Sequence, residues 1–420
     1  MKGAAVALVV LLAWLATACA GDDGGVEPVA TSSCAEVLYE GEGEPDVIVV
    51  SDLPRGGVGK ETIELMIDAI EFSLREHKFR AGELRVGYQS CNDTIGEQPY
   101  DPSLCGRNAR AYVATEDVVG IVGPWNSGCA ERQIPIVSTR EAGPLAMISP
   151  SNTFVGLTRG AYARSLYPDD VRSYVRIVTH DLGQGSAAAH LAKRLGARRV
   201  AVMHQRGFDE EYVRGLTTAF LAAARALKLE AVSFDWRREE SYTELAASVA
   251  AARPDVVYVA GLTQENANTL VEDLRAALPR SVELVGPDSF AADDIAQELG
   301  PAGEGMLVTV PGIPPELLPP AGQRFIKEFG RPALVLPGQL GAPEAAQATE
   351  VLLEAIARSD GTRASVVEQL FATKVENGIL GSFSFDRFGD IDPAPVGVYR
   401  LADGKVVGHN VVRAPLGTRD

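Results

Sequence analysis

The sequence predicts an α/β protein that consists of two doubly wound lobes, each built on a parallel sheet. Short runs of β-branched and apolar residues alternate with segments of helical periodicity, which is typical of parallel strands buried on both faces. Such runs occupy Asp46–Ser51, Leu84–Tyr88 and Val118–Val122. The alternation begins again at Arg199 and continues to Val285. A pattern that occurs twice in one chain predicts two similar lobes, with a ligand at the carboxyl ends of their strands.

Helices and a mixed C-terminal region complete the predicted order of elements. In the first unit the predicted helices are Thr62–His77, Asn108–Thr115 and Cys129–Arg140. In the second unit four predicted strands alternate with three predicted helices: Arg199–Met203, Glu210–Leu227, Ala231–Phe234, Tyr242–Ala252, Asp255–Ala260, Asn266–Leu278 and Glu283–Val285. A Pro-rich segment, Pro311–Pro320, then precedes further helices and a β-like stretch at Gly381–Val412. This last region is too short for a third domain, so we expect it to complete the two lobes.

The N-terminal residues are typical of an exported lipoprotein. The apolar stretch Ala4–Leu15 follows a lysine and is too short to span a bilayer comfortably, and Ala16-Thr17-Ala18-Cys19 resembles a lipobox. We therefore expect a lipoprotein signal peptide at residues 1–18 and a lipid on Cys19, with an ordinary secretory signal as the alternative. Residues 19–45 are expected to form the anchor and a flexible tether, because Gly, Asp and Ser are frequent at its start. The rest of the chain is then extracytoplasmic and lipid-anchored to the cell membrane.

Charge and cysteine content exclude several functions. The formal net charge of −17 over 420 residues argues against nucleic-acid binding and against an electrostatic membrane-surface role. With Cys19 set aside, four cysteines remain, all in the first third of the chain: Cys34, Cys91, Cys105 and Cys129. An even number in an exported chain predicts disulfides, with three possible connectivities. Their spacing does not follow a CxxC metal pattern, so we expect no metal site.

Seven short motifs occur in an order that is similar to that of a known family. They are Val122–Ala130, Met147–Thr153, Gly156–Thr158, Gly183–Gly185, His204–Phe208, Pro287–Asp288 and Glu304–Val308. Together they resemble the type I periplasmic binding proteins, and in particular the leucine/isoleucine/valine-binding proteins of branched-chain amino-acid ABC importers. The likeness covers nearly the whole chain beyond residue 45. It implies two lobes joined by three crossovers, a small-molecule ligand in the cleft, ABC permease subunits as partners, a monomer and no cofactor.

This resemblance also implies a division into lobes and a mechanism. Residues 46–174 and 312–378 are expected to form the first lobe, and residues 175–311 and 379–420 the second. Hinged closure about the crossovers is expected to bury the ligand between the lobes, and the permease then recognises the closed form.

Four residues of the first lobe are candidates for binding the ligand's carboxylate and ammonium. Ser127 lies where a strand turns into a helix, and the unpaired N–H groups of a helix N-terminus favour an anion. Its hydroxyl can donate to a carboxylate, as the resemblance implies, or can serve only the helix. Ser151, Asn152 and Thr153 follow the next strand, where the resemblance implies ligand contacts from backbone groups and from the Thr153 hydroxyl. The alternative is a turn held by side-chain-to-backbone bonds. Trp125 is a candidate for packing against the ligand's side chain.

In the second lobe the resemblance implies that Asp288 pairs with the ligand's ammonium. A carboxylate in a closed cleft is costly unless a cation meets it, which favours a ligand with a positive or strongly donating group. Phe208 and Leu262 occupy positions where the resembled family has tyrosines, so that wall is more apolar here and the ligand's identity stays open. Thr263 follows and can restore polarity.

Nucleotide binding and catalysis are disfavoured. Arg55–Thr62 is similar to a Walker A loop, but Glu61 stands where Ser or Thr is needed to coordinate magnesium. Neither a Gly-x-Ser-x-Gly elbow nor a His-Glu-x-x-His motif is present. The sequence therefore predicts a solute-binding lipoprotein that captures a branched-chain-like amino acid and is not an enzyme. The alternatives are a sensory receptor ectodomain, or a binder of an amide, urea or aromatic acid on the same fold.

Overall fold

The computed structural model describes residues 25–56, 60–96, 98–140, 143–207, 210–331 and 340–413, and these form sixteen strands. The strands are β1 Val47–Leu53, β2 Arg80–Ala81, β3 Leu84–Asn92, β4 Val118–Val122, β5 Ala146–Ser149, β6 Tyr174–Arg176, β7 Arg199–Gln205, β8 Glu230–Trp236, β9 Val256–Ala260, β10 Glu283–Gly286, β11 Leu307–Pro311, β12 Lys374–Gly378, β13 Gly381–Phe385, β14 Ile391–Asp392, β15 Pro395–Ala402 and β16 Lys405–Arg413.

The strands form two large sheets and a small one. The first sheet has the order β2-β3-β1-β4-β5-β6 and the second β16-β15-β11-β10-β9-β7-β8. In the first sheet only β2 is antiparallel to its neighbour, and in the second only β15 and β16 are. Strands β12 to β14 pair with one another in the small sheet. The predicted pair of parallel-sheet lobes is confirmed.

Twelve α-helices cover the faces of these sheets in the described residues. They are α1 Lys60–Glu76, α2 Pro102–Ala114, α3 Ser127–Val137, α4 Gly160–Leu166, α5 Asp181–Arg194, α6 Glu210–Ala226, α7 Thr243–Ala251, α8 Ala267–Ala277, α9 Asp293–Gly303, α10 Pro320–Phe329, α11 Ala342–Arg358 and α12 Arg363–Phe371. Local sequence fixes several of their ends. At the start of α2, Asp101 accepts a hydrogen bond from the Leu104 N–H at 2.7 Å and Pro102 occupies the first turn. None of the described helices is long and apolar enough to cross a membrane.

Each large sheet carries a separate apolar core on each of its faces. Along β1, Val47 and Val49 face the core formed with α1 and α11, whereas Ile48 and Val50 face the core formed with α2 and α3. The second sheet likewise separates a core with α7, α8 and α9 from a core with α5 and α6. This two-sided burial explains why the strands appear in the sequence as continuous apolar runs. Each fully buried Val, Leu or Ile contributes about 1.5–3 kcal/mol.

The chain passes between the two sheets three times, as expected. The passages are residues 177–180, 312–319 and 393–394. Leu380, Phe383 and Phe385 belong to the core of the first sheet, and the Leu380 N–H donates to Gln347 of α11 at 3.1 Å. The expected change of lobe after residue 378 is therefore too early, because the small sheet packs with the first lobe. We place it at residues 394/395.

Two disulfides brace the first lobe. Cys34 is bonded to Cys91 of β3, and Cys105 of α2 is bonded to Cys129 in the first turn of α3. The second bond joins the two helices beside Ser127. The predicted signal peptide and Cys19 lie outside the described residues.

Candidate ligand-binding cleft

The loop after β4 and the loop after β5 lie side by side because their strands are neighbours in the sheet. The first of these loops turns at Gly123, whose φ is 135° and where a Cβ would lie 2.6 Å from the Asp52 carbonyl oxygen. Only glycine fits such a position. The loop then enters α3 at Ser127, whose Oγ accepts a hydrogen bond from the Phe154 N–H at 3.4 Å. The Ser127 hydroxyl can still donate its own proton to a ligand oxygen.

Ser151 and Asn152 are held inside the first lobe. The Ser151 hydroxyl donates to the Trp125 carbonyl at 2.8 Å, and the Asn152 amide donates to the same carbonyl at 2.8 Å. The Asn152 Oδ1 accepts from the Tyr174 hydroxyl at 3.0 Å, and Asn152 is only 1% exposed. Both ends of the Asn152 amide are therefore used to fix the loop.

Thr153 is the residue of this loop that meets the second lobe. Its carbonyl oxygen accepts a hydrogen bond from the Asp181 N–H, the first residue of α5, at 3.0 Å. Its side chain is partly exposed, and within the described part of the chain its hydroxyl has no hydrogen-bond partner. A hydroxyl so placed can bind a ligand group.

Asp288 lies at the carboxyl end of β10, on the second lobe. Its Oδ1 accepts hydrogen bonds from the Tyr212 hydroxyl at 2.6 Å and from the Gln184 amide at 2.8 Å. None of the ion pairs formed by the described residues includes Asp288. This carboxylate is therefore stabilised by neutral donors and can accept a cationic group from a ligand.

The loop after β9 is tied to the loop that carries Asp288. The Ser289 hydroxyl donates to the Gly261 carbonyl at 2.7 Å, and the Thr263 hydroxyl donates to the Ser289 carbonyl at 3.5 Å. Leu262 is partly exposed, and its N–H donates to the Gln205 side chain at 2.6 Å. Leu262 and Thr263 thus stand beside Asp288. Phe208 lies outside the described residues.

A pocket of about 460 Å³ lies between the first-lobe loop after Thr153 and helices α5 and α6 of the second lobe. It is lined by Phe154, Val155, Gly156, Arg159, Gly160, Ala161, Tyr162, Asp181, Leu182, Arg214, Gly215 and Thr218. The rings of Phe154 and Tyr162 contact each other with centroids 5.8 Å apart. Such a volume lies within the range of small-molecule sites. The predicted ligand-binding residues that the structure describes are not among those that line this pocket.

Comparison with known proteins identifies the family. Residues 95–405 match the model of a family described as periplasmic binding protein. The chain belongs to the periplasmic binding protein family. Proteins of this family bind solutes outside the cytoplasm.

Relatives and solved structures agree with this membership. This periplasmic binding protein is 24% identical to Leu/Ile/Val-binding protein homolog 3 of Brucella melitensis, over 72% of its own length and 78% of the relative's. It is 24% identical to a Leu/Ile/Val-binding protein of Citrobacter freundii, over 64% and 70% of the two chains. Among solved structures it is similar to a leucine-binding protein of Thermotoga maritima, with 21% identity, a TM-score of 0.66 and coverage of 87% and 99%.

A structure with a different ligand shares the same fold. The solute-binding protein of R. palustris in complex with benzoate aligns with a TM-score of 0.61 and 18% identity, over 88% of this chain and 96% of the other. At this identity the likeness establishes the fold, and the choice of ligand has to be argued from the cleft itself.

A buried ionic cluster of this periplasmic binding protein lies in the first lobe, close to the passages between the lobes. Asp390, in the turn before β14, accepts from Arg176 at 2.8 Å and from Arg159 at 2.6 Å. The Thr158 hydroxyl donates to the same carboxylate at 2.9 Å. Arg176 is 0% exposed and Asp390 is 1% exposed. Burial alone would raise the pKa of Asp390, but the positive groups around it, Arg176 first, hold that pKa well below its ordinary value.

This cluster links the segment that leads into the first passage with the segment that leads into the third. Arg176 ends β6 directly before the first passage, and Asp390 lies shortly before the third. His180, at the end of the first passage, also faces the cluster, with its Nε2 3.6 Å from Asp390 Oδ2.

His180 makes the free energy of unfolding of the protein sensitive to acid. It caps α5 by accepting from the Gly183 N–H at 3.2 Å, and burial lowers its pKa from 6.5 to about 4. Between these two values the unfolded chain binds a proton that the folded chain does not, so the free energy of unfolding falls as the pH falls through this window. The expected contribution reaches about 3 kcal/mol near pH 4.

Urea denaturation of the wild type and of His180→Asn at pH 7, 6, 5 and 4 measures this effect. Asparagine keeps an acceptor at the helix cap and does not titrate. We expect the variant to lose less stability between pH 6.5 and pH 4 than the wild type does. His77→Asn, which changes an exposed histidine, is the control. Equal slopes for the wild type and His180→Asn would contradict the prediction.

Two further carboxyl groups of the first lobe are buried, and the cysteines beside one of them are not suited to bind a metal. Asp52 accepts from Asn108 at 2.9 Å and from Gln133, and burial raises its pKa to about 7. Asp93 lies within 4.8 Å of the sulfurs of Cys105 and Cys129. Because those two sulfurs are bonded to each other, they offer no thiolate ligands.

Proposed function

We propose that this protein is the solute-binding component of an ABC importer and captures an amino acid with a branched-chain-like side chain between its lobes. The observation that supports the proposal is that each lobe offers a different kind of polar group at the ends of its strands. Ser127 and Thr153 offer hydroxyls beside a helix N-terminus on one lobe, and Asp288 offers a carboxylate that lacks a cationic partner among the described residues. A zwitterionic amino acid fits both, since its carboxylate meets the donors and its ammonium meets Asp288.

We also propose roles for the other predicted residues. We assign Ser151 and Asn152 to holding the loop, with the ligand contacted by its backbone groups. We assign Trp125, Phe208, Leu262 and Thr263 to the walls around the ligand's side chain. The names of the matched relatives, which are Leu/Ile/Val-binding proteins, support an apolar side chain.

The remaining parts of the proposal concern location and partners. We propose that a lipid on Cys19 anchors the protein at the outer face of the cell membrane and that residues up to about 45 form the tether. The protein then works as a monomer that closes about its three passages and delivers its ligand to the permease subunits. The resemblance to importer components supports this.

An aromatic acid is a second candidate ligand. Solved structures of the same fold carry benzoate and 4-hydroxybenzoate, and Phe154 and Tyr162 line the interlobe pocket. Such a ligand has no ammonium and would leave Asp288 without its cation.

Thermal denaturation across a ligand panel tests the proposal. The panel contains L-leucine, L-isoleucine, L-valine, L-phenylalanine, benzoate, 4-hydroxybenzoate, acetamide and urea. A ligand at a hundred times its Kd stabilises by about 2.7 kcal/mol, which raises Tm by about 2–4 °C for a chain of this size. We expect the largest shift from a branched-chain amino acid. A Tm shift with benzoate and none with any amino acid would contradict the amino acid as the ligand and favour the aromatic acid.

A further inference from the structure

We propose that Tyr212 and Gln184 are positioning residues that orient Asp288 toward the ligand's ammonium and so set the preference for amino acids over acids without an amino group. Gln184 lies within one of the seven sequence motifs and Tyr212 in none, and the sequence assigns a role to neither side chain. The inference rests on the proposed function, because it gives Asp288 the ammonium as its partner.

Both residues bind the same oxygen of Asp288. The Tyr212 hydroxyl and the Gln184 amide donate to Oδ1 at 2.6 and 2.8 Å, whereas Oδ2 has no partner among the residues that the structure describes. Two donors on one oxygen fix the rotation of the carboxyl group and leave the other oxygen as an acceptor. The second oxygen is thereby presented for a charge-assisted bond.

The two donors are themselves held rigidly. Gln184 is 0% exposed, and its amide also donates to the Thr309 carbonyl of β11 at 2.7 Å. It lies on α5, and Tyr212 lies on α6. The helices approach closely at Gly185, where a Cβ would lie 2.1 Å from the Leu216 carbonyl oxygen. This close approach fixes the positions of Gln184 and Tyr212 relative to each other.

Tyr212 can act only as a donor to Asp288. Burial and the adjacent carboxylate raise the pKa of its hydroxyl well above 10, so it keeps its proton at any physiological pH. Neither Tyr212 nor Gln184 carries a charge to compete with the ligand. The pair therefore stabilises the negative charge of Asp288 and leaves the ligand's ammonium as its cation.

A double-mutant cycle tests this arrangement. Tyr212→Phe, Asp288→Asn and the double variant are titrated calorimetrically with L-leucine and 4-methylpentanoate, and with L-phenylalanine and 3-phenylpropanoate. The members of each pair differ at the amino group alone. With Asp288 present, we expect Tyr212→Phe to lower the affinity for the amino acid about tenfold. In the Asp288→Asn background the loss should be less than about twofold, because only the charged carboxylate gains from orientation. The affinities for the acids without an amino group should change little in either background.

Control variants separate orientation from damage to the lobe. Tyr258→Phe removes another buried hydroxyl of the same lobe; its ring stacks on Phe220 at 4.7 Å, and its oxygen has no partner in the described residues. We expect this control to keep the wild-type affinity. Gln184→Met removes the second donor with similar volume, and it should repeat the effect of Tyr212→Phe.

The outcomes distinguish this inference from the proposed function. An equal loss from Tyr212→Phe in both Asp288 backgrounds, or no loss in either, would overturn the positioning role while amino-acid binding stands. Wild-type protein that binds 4-methylpentanoate as tightly as L-leucine would overturn the selectivity assigned to this pair. Wild-type protein that binds neither amino acid would overturn the proposed function, and the inference with it.

Discussion

Replacement of Asp288 by alanine is expected to weaken the binding of an amino acid by about 2–5 kcal/mol, or roughly 30- to 5,000-fold in Kd. The closed cleft removes the ligand's ammonium from water, and without the carboxylate that charge has no counterpart there. The donors Tyr212 and Gln184 also lose their acceptor, since both bind Asp288 Oδ1. Calorimetric titration of the wild type and the variant measures the difference.

The control for this variant is another carboxylate of the second lobe. Asp294→Ala changes an exposed residue in the first turn of α9, and we expect the affinity to stay within a factor of about two because an exposed charge at a distance is screened. Asp288→Asn keeps the shape of the side chain and should lose most of the same affinity if the charge is what matters. An unchanged Kd for Asp288→Ala would remove this residue from the site.

Much of the fold can be predicted from the sequence because the strands are buried on both sides. Runs such as Val118–Val122 and Val256–Ala260 are entirely apolar or glycine apart from one tyrosine, and in the structure every residue of both runs is buried. Burial of this kind is a local property that a window of sequence reveals. Strand β8 at the edge of the second sheet alternates instead, with Trp236 its only buried residue.

The C-terminal region shows what a local pattern cannot reveal. The sequence predicts a β-like stretch at Gly381–Val412 and assigns residues 379–420 to the second lobe. In the structure Gly381–Phe385 pairs within the small sheet, whereas Pro395–Ala402 pairs with β11. Which sheet a strand joins depends on partners that are distant in the sequence. The same holds for the disulfides, because the order of cysteines along the chain allows three connectivities and only the fold selects one.

The candidate site follows the same division. Ser127, Thr153 and Asp288 are predicted because each follows a strand, where ligands of such sheets bind, and because each lies in a motif that resembles the family. Whether a polar side chain faces a ligand or its own loop cannot be read from its identity, and Asn152 is bonded within its lobe at both ends of the amide. Tyr212 and Gln184 come from two helices and meet only at Asp288, so no sequence spacing indicates them.

Replacement of Asp390 by alanine is expected to lower the free energy of unfolding by about 3–5 kcal/mol, the cost of leaving a buried charge without its partner. Arg176 has no exposed surface and would keep its positive charge beside Arg159, with no carboxylate at 2.8 Å to balance it. Because the carboxyl has a lowered pKa in the folded state, its contribution is complete above about pH 4 and is lost as the pH falls below that value. Urea denaturation at pH 7 measures the loss.

A neighbouring acid provides the comparison that makes this result specific to the hinge. Asp392→Ala removes an exposed carboxylate two residues further along the chain, in β14, and we expect it to cost less than about 0.5 kcal/mol, as is usual for surface substitutions. A loss for Asp390→Ala no greater than that of Asp392→Ala would show that the cluster does not hold the passages together. The expected difference would show that the buried cluster, which lies where the first lobe leads into the first and third passages, contributes several kcal/mol to the stability of the fold.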